Sequence, residues 1–282
     1  MPPTWGSAVS PDPQPVQTLF SGGHARWWSD LYGSNVQTLE AHLFRQRRDT
    51  VLALMERHVP RERRVLDLGC GTGPLLAALR GAGWACAGLD GAPDMLDHAR
   101  ARLAAAGLTM DDLHLGDCRN TAFESGRFDA VLCLGVISYI EHYEPVLREI
   151  WRVLSPGGLA IVSCRNAASL DCADPWRMAR RLAEGLLRRR RPEPFTPGRF
   201  LRRSVVRQRI RQAGLSVDSE IGIGFGPPRL AGRRLLPDAA EIRLSDALSR
   251  LVSHTRLWPI ARPACDISLW VLRKPEVHAE RP

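Results

Sequence analysis

Residues 65–73 read Val65-Leu66-Asp67-Leu68-Gly69-Cys70-Gly71-Thr72-Gly73, and after Pro74 comes the apolar run Leu75-Leu76-Ala77-Ala78-Leu79. Val65, Leu66 and Leu68 have the character of a buried strand end. Gly69, Gly71 and Gly73 make a loop, and the run behind them starts a helix. A strand, a glycine turn and a helix N-terminus together form a site for a polar, partly anionic ligand. Glycine lets backbone approach closely, and the first N–H groups of the helix point at what binds. The dinucleotide pattern Gly-x-Gly-x-x-Gly/Ala fails here, because the sixth position counted from Gly69 is Pro74.

The pattern that does stand, Asp67-x-Gly69-x-Gly71-x-Gly73, resembles the first motif of the class I S-adenosylmethionine-dependent methyltransferases. Cys70 and, further on, Gly91 are variants at positions of that family's cofactor site. The resemblance implies a cofactor with a zwitterionic methionine end, a sulfonium, a ribose and an adenine, and S-adenosylhomocysteine as its product. An acidic residue two places before the first glycine suits an ammonium group and would be misplaced beside a pyrophosphate.

The next pieces follow at matching distances. Trp84 to Leu89 is a short strand pattern ending at Asp90, whose carboxylate can accept both ribose hydroxyls, as the acidic residue does in dinucleotide folds. Asp94 to Arg100 reads as a helix. Leu113 to Cys118 is a third strand ending in Gly-Asp, and the resemblance places Asp117 at the adenine amino group and the Cys118 N–H at a ring nitrogen. Phe128 to Leu134 is almost continuously apolar, as a strand covered by helices on both faces must be, and Leu134 closes it against the cofactor. Pro145 to Leu154 is helical by spacing, Ser155-Pro156-Gly157-Gly158 stops it, and Leu159 to Cys164 is a fifth strand. The expected fold is a doubly wound α/β, Rossmann-like sheet of seven strands. Arg203–Ala213 is a helix and Leu215–Phe225 the sixth strand. Cys265–Arg273 is the last, antiparallel and inserted beside the fifth as the resemblance implies.

The chain has 282 residues and a formal net charge of +9. No stretch of 18 apolar residues offers a membrane span. Residues 1–17 hold five prolines, with neither a basic nor an apolar signal region, so residues 1–20 read as a disordered tail rather than a leader. Seven scattered cysteines without a Cys-x-x-Cys pair argue against zinc and disulfides, and place the chain in a reducing cytoplasm. The charge is uneven. Residues 1–164 hold 15 basic and 18 acidic side chains, whereas residues 165–211 alone hold 14 and 4.

The core, 61–164 with 201–226 and 265–274, supplies the cofactor site, and three additions are expected to choose the substrate. Residues 21–60 form an N-terminal helical lid, with Trp27, Trp28, Leu31 and Tyr32 ahead of a helix over Leu39–Arg57. Tyr32 and one of Arg45, Arg47 and Arg48 (Arg47 is the choice) meet the methionine carboxylate in similar small-molecule enzymes. Residues 165–200 are a basic helical insertion, with Trp176, Ala179, Leu182, Ala183, Leu186 and Leu187 on one face and arginines elsewhere. It reads as a cover over the active site or as peripheral contact with an anionic membrane. Nucleic acid is disfavoured because no aromatics interleave with the arginines. Residues 227–264 are a second helical insertion around Leu244, Leu248 and Leu251, and residues 275–282 are a tail.

Methyl transfer from a sulfonium is an in-line displacement that needs alignment and, for some acceptors, a base. Tyr139, Glu141 and His142 follow the fourth strand on the acceptor side, with His142 the candidate base because its pKa lies near neutrality. The Asn/Asp-Pro-Pro-Tyr motif of enzymes that methylate planar exocyclic nitrogens is missing after that strand. The resemblance therefore implies an O-methyltransferase of small, apolar or aromatic acceptors, similar to the quinone and natural-product branch. N- or C-methylation, a lipid acceptor, and a catalytically silent cofactor-binding subunit remain the other readings. Oligomeric state is open.

Overall fold

The computed structural model describes residues 19–32, 36–108, 112–169, 172, 175, 198–226, 229–230, 233–253 and 258–276. The expected helix carrying Trp176 to Arg191, and most of both tails, lie outside the described residues.

Two helices come first, α1 (Gly23–Leu31) and α2 (Leu39–His58). Trp27, Trp28 and Leu31 lie on α1 itself, where the sequence places them before a helix. Thr38 caps α2 by accepting the Ala41 N–H at 3.2 Å. Leu39, Leu43, Val51 and Met55 recur every fourth residue as the buried stripe of α2.

The sheet elements then alternate with helices: β1 (Arg64–Leu68), α3 (Pro74–Gly81), β2 (Ala85–Asp90), α4 (Pro93–Ala105), β3 (Leu113–Leu115), β4 (Phe128–Leu134), α5 (Glu144–Val153) and β5 (Leu154–Arg165). Proline stands at the first turn of α3, α4 and α5, where its missing N–H costs nothing. Then follow α6 (Arg203–Gln212), β6 (Ser216–Ile223), a small hairpin of β7 (Arg229–Leu230) and β8 (Arg233–Arg234), α7 (Asp238–Ser253), α8 (Trp258–Ala261) and β9 (Ile267–Arg273). The hairpin was not foreseen; its two-residue strands carry no alternation to read.

The main sheet has seven strands in the order β3-β2-β1-β4-β5-β9-β6. β1 to β5 are parallel, and β9 is antiparallel to both β5 and β6, as expected. Strand order reverses between β1 and β4, and ligands of open α/β sheets bind outside the carboxyl ends at that point.

Alternation along β5 sorts the core into two layers. Leu159 and Ile161 face the layer built with α2 and α3, while Ala160, Val162 and Cys164 face the layer built with α5 and α6. A buried Glu220 on β6 is held by Arg203 and Arg207 of α6. The second insertion docks on the lid. Asp246 of α7 accepts from His42 at 2.8 Å and Gln46 at 2.9 Å, both on α2. Leu235, Leu251 and Ile260 of this insertion remain exposed. Among the described residues no helix is long and apolar enough to cross a membrane.

Candidate functional site

The glycine loop is tied to the end of β2: the Gly69 and Cys70 N–H groups both donate to the Leu89 carbonyl, at 2.7 and 3.0 Å. Gly69 has φ 79°, and a Cβ there would run into Val136. Gly73 has φ 74°, and a Cβ would meet that of Ala99 at 2.9 Å. Both glycines are therefore fixed by packing as well as by the left-handed backbone. Gly69→Ala is expected to cost roughly 2–4 kcal/mol of stability, the sum of a positive φ and an overpacked contact, read as a fall in urea midpoint. Gly71 differs: its φ is 54°, yet a Cβ would meet nothing within 4 Å. It is the glycine that opens onto the site.

Asp90 holds this cradle in shape. One carboxylate oxygen accepts the Gly71 N–H at 2.8 Å and the other the Ala92 N–H at 3.0 Å. Burial raises its pKa, and those backbone donors together with Gly91 hold it down. Arg102 of α4 donates to the Thr72 carbonyl at 3.0 Å and to the Ser29 carbonyl at 2.9 Å, which ties the loop to α1.

Asp67 lies beneath the loop, only 3% exposed. Burial first, then the neighbouring Asp90, pushes its carboxyl up to about 7, while Arg47 pulls it down. Arg47 is itself buried. It donates to the Tyr32 hydroxyl at 2.7 Å and lies 4.6 Å over the Phe44 ring. One of its terminal nitrogens stands 3.0 Å from where a Cβ on Gly135 would be. Its Nε is buried without a hydrogen-bond partner. Of the three candidate arginines only this one turns inward; Arg45 donates to the Val36 carbonyl and Arg48 to Asp49.

Asp117 is drawn elsewhere. It is exposed and grips the Arg119 side chain at 2.7 and 3.0 Å and its N–H at 2.8 Å, which lowers its pKa. An Asp-x-Arg spacing at a turn was the signal for this pairing. Cys118 is half-buried, its thiol pushed up to about 12 by burial and then by Asp117. Gly91 lies against the Gly116 carbonyl, 3.6 Å from where its Cβ would be. Leu134 ends β4 against the α2 layer.

On the acceptor side the three candidates part. Tyr139 lies in the 3₁₀ turn Val136–Tyr139, edge-on to Phe20 at 5.1 Å and to Trp28 at 6.3 Å. Burial raises its phenol pKa. Glu141 and His142 are exposed in the bend beyond it, and only the Glu141 carbonyl is engaged, by Arg199 at 2.6 Å. Phe20, Trp28 and Phe44 form an aromatic roof that no linear motif announced; Trp28 stacks on Phe44 at 5.9 Å.

Comparison with known proteins bears on this arrangement. A methyltransferase-domain family model matches residues 66–162, the stretch from the glycine loop to β5. The ubiquinone biosynthesis O-methyltransferase of Methylococcus capsulatus is 28% identical over 216 residues, 73% of this chain and 83% of that protein. The demethylmenaquinone methyltransferase of Thermus thermophilus is 40% identical over 102 residues, 36% of this chain and 46% of that protein. The chain is a class I S-adenosylmethionine-dependent methyltransferase. In fold it is similar to the magnesium protoporphyrin IX methyltransferase of Synechocystis solved with bound S-adenosylhomocysteine, with a TM-score of 0.60 and 16% identity over 92% of this chain and 98% of that one.

S-adenosylmethionine is the cofactor of this methyltransferase, and the residues present fit it. The open Gly71, the orphaned Arg47 Nε and two carboxylates under one loop match a ligand with a carboxylate at one end and cationic centres beside it. When bound, S-adenosylmethionine supplies a methyl group on a sulfonium.

The raised Asp67 gives the methyltransferase a pH dependence. An ammonium group is met by the ionised carboxylate and not by the acid. Affinity for S-adenosylhomocysteine is therefore expected to fall by up to about tenfold per unit as pH drops below about 7, and to level off above it. Stability of the cofactor-free enzyme runs the other way. A carboxyl raised from 3.8 to about 7 favours the fold fully below 3.8, and that contribution is lost as pH rises through about 7. Melting curves with and without S-adenosylhomocysteine at pH 6 and 8 measure both.

Proposed function

We propose that this methyltransferase transfers its methyl group to an oxygen of a small aromatic, quinone-like acceptor in bacterial biosynthesis. The observation that carries this reading is the match to a ubiquinone biosynthesis O-methyltransferase over 83% of that protein. The aromatic roof of Phe20, Trp28 and Tyr139 supports it, since it suits a planar apolar acceptor better than a polar one.

In this reading Asp90 receives the ribose, Asp67 the ammonium and the Arg47–Tyr32 pair the carboxylate, with the glycine loop of Gly69, Gly71 and Gly73 closing around them. Gly91, Leu134 and the Cys118 N–H flank the adenosine, and Asp117 reaches the adenine only by leaving Arg119. Tyr139 lines the acceptor side. Glu141 and His142, as placed, do not reach the Tyr139 side of the site, so an acceptor that ionises by itself needs least from the chain.

The test is methyl transfer from labelled S-adenosylmethionine to a catechol, a hydroquinone and an aniline of matched size, with the product identified by mass spectrometry and NMR. An O-methyl ether from the catechol or hydroquinone is the expected product. Methylation at nitrogen alone would overturn the reading.

A further inference from the structure

Beyond the cofactor cradle, a second cluster stands at the carboxyl edge of the sheet. Arg165 is the last residue of β5 and half-buried. Counting by twos from Leu159 and Ile161 through Ser163 puts Arg165 on the α2 side of the sheet. That is the side from which Arg47 and Tyr32 reach the loop. The Arg165 guanidinium lies flat on Phe200, 4.0 Å from the ring centroid. Of the charged groups acting on the Tyr139 phenol, Arg165 is the strongest, ahead of Glu40 and Arg47. Phe200 is held in place by its neighbour: Leu201 donates to the Arg165 carbonyl at 2.8 Å and bridges to Asn166.

The order of strands sets the geometry. β2 ends at Asp90, β1 at the glycine loop, β4 at Gly135 beneath Arg47, and β5 at Arg165. Neighbouring strands are about 4.8 Å apart, so Asp90 and Arg165 are separated by roughly 14 Å along the sheet edge. A ligand with its ribose at β2 and its carboxylate at Arg47 leaves the end of β5, and the turn carrying Tyr139, for the acceptor.

We propose that Arg165, backed by Phe200 and facing Tyr139, is a specificity-determining residue of the acceptor site, and that the site takes a planar acceptor bearing an anionic oxygen. This rests on the methyl-transfer reading above and narrows its substrate class. A guanidinium on an aromatic face is a fixed donor array for a carboxylate or phenolate. The acceptor oxygen bonds to the methyl carbon as the carbon–sulfur bond breaks, the electron pair leaving on sulfur. An acceptor already ionised gives up no proton in that step, which accords with the exposed positions of Glu141 and His142.

The test uses 3,4-dihydroxybenzoate and its neutral methyl ester as a matched pair, on the wild type, Arg165→Gln and Arg165→Lys. Methyl transfer is measured alongside calorimetric binding of each compound to the S-adenosylhomocysteine complex. Arg165→Gln is expected to raise KM or Kd for the acid by roughly 10- to 100-fold, as loss of a charge-assisted hydrogen bond implies, with Lys restoring part of it. The ester and S-adenosylhomocysteine itself should change by less than about threefold. Equal loss for acid and ester, or a parallel loss of S-adenosylhomocysteine affinity, would make Arg165 merely structural and overturn the proposal. So would an acid that fails to bind the wild-type complex. A wild type that methylates only nitrogen sinks the O-methylation reading instead, whatever Arg165 does.

Discussion

Replacing Asp90 by alanine is expected to weaken S-adenosylhomocysteine binding by at least about 100-fold. The carboxylate accepts two backbone donors, from Gly71 and Ala92, and is the proposed acceptor for two ribose hydroxyls. Charge-assisted hydrogen bonds are each worth about 1.5–3 kcal/mol, and two lost together give a factor of about 100 or more. The variant also leaves the Gly71 N–H unanswered at the point where the loop opens. Loosening of the cradle adds to the loss, because Gly71 has a left-handed backbone that nothing else pins. Asp90→Asn separates the contributions. It keeps one acceptor and the shape, so it should bind more tightly than Asp90→Ala yet clearly worse than the wild type. Calorimetric titration of both variants, with melting curves to show that each is folded, measures this.

Arg47→Met is expected to have a similar effect on binding with the opposite sign on stability. The guanidinium is buried, makes a hydrogen bond to Tyr32 and has an unpartnered Nε. A buried charge with incomplete partners is a cost to the fold, and an apolar side chain of similar length removes that cost. The melting temperature should stay level or rise by a few degrees. The affinity for S-adenosylhomocysteine should fall by roughly 100-fold, because the carboxylate loses its charged partner and Asp67 loses the nearby cation that holds its pKa down. A stabilised protein that no longer binds is the signature of a residue kept for the ligand. A variant that is destabilised with affinity unchanged would mean that Arg47 serves only to pin α2.

Much of this was legible in residues 65–134. Each strand end carries its chemistry in linear order, and doubly wound topology brings strand ends together without long-range knowledge. Asp67, Gly69, Gly71, Gly73 and Asp90 could therefore be named before any coordinates. Arg47 was one of three arginines in the sequence, yet helical periodicity singles it out. Leu39, Leu43, Val51 and Met55 form a fourth-residue series, and Arg47 is its missing member. An arginine in an apolar stripe is a buried arginine.

Other features were not legible for physical reasons. Asp117 has the expected place after β3, but a local partner two residues away, Arg119, takes its carboxylate. The exposure of His142 is decided by where α5 begins, at Glu144, and not by the residue's chemistry. The aromatic roof joins Phe20 and Trp28 from the lid to Tyr139 after β4, a separation of over a hundred residues that no local pattern encodes. Phe200 reaches Arg165 in the same way, across an insertion whose sequence matches no motif.

The central claim is that the loop between β1 and α3, closed by Asp90, Asp67 and Arg47, is where the cofactor binds. Calorimetric titration of S-adenosylhomocysteine into the wild-type chain and into Asp90→Ala at pH 8 tests it most directly. The prediction is one site of about micromolar affinity in the wild type, with no measurable heat in the variant. Equal affinity in the two proteins, or no binding to a folded wild type, would contradict it.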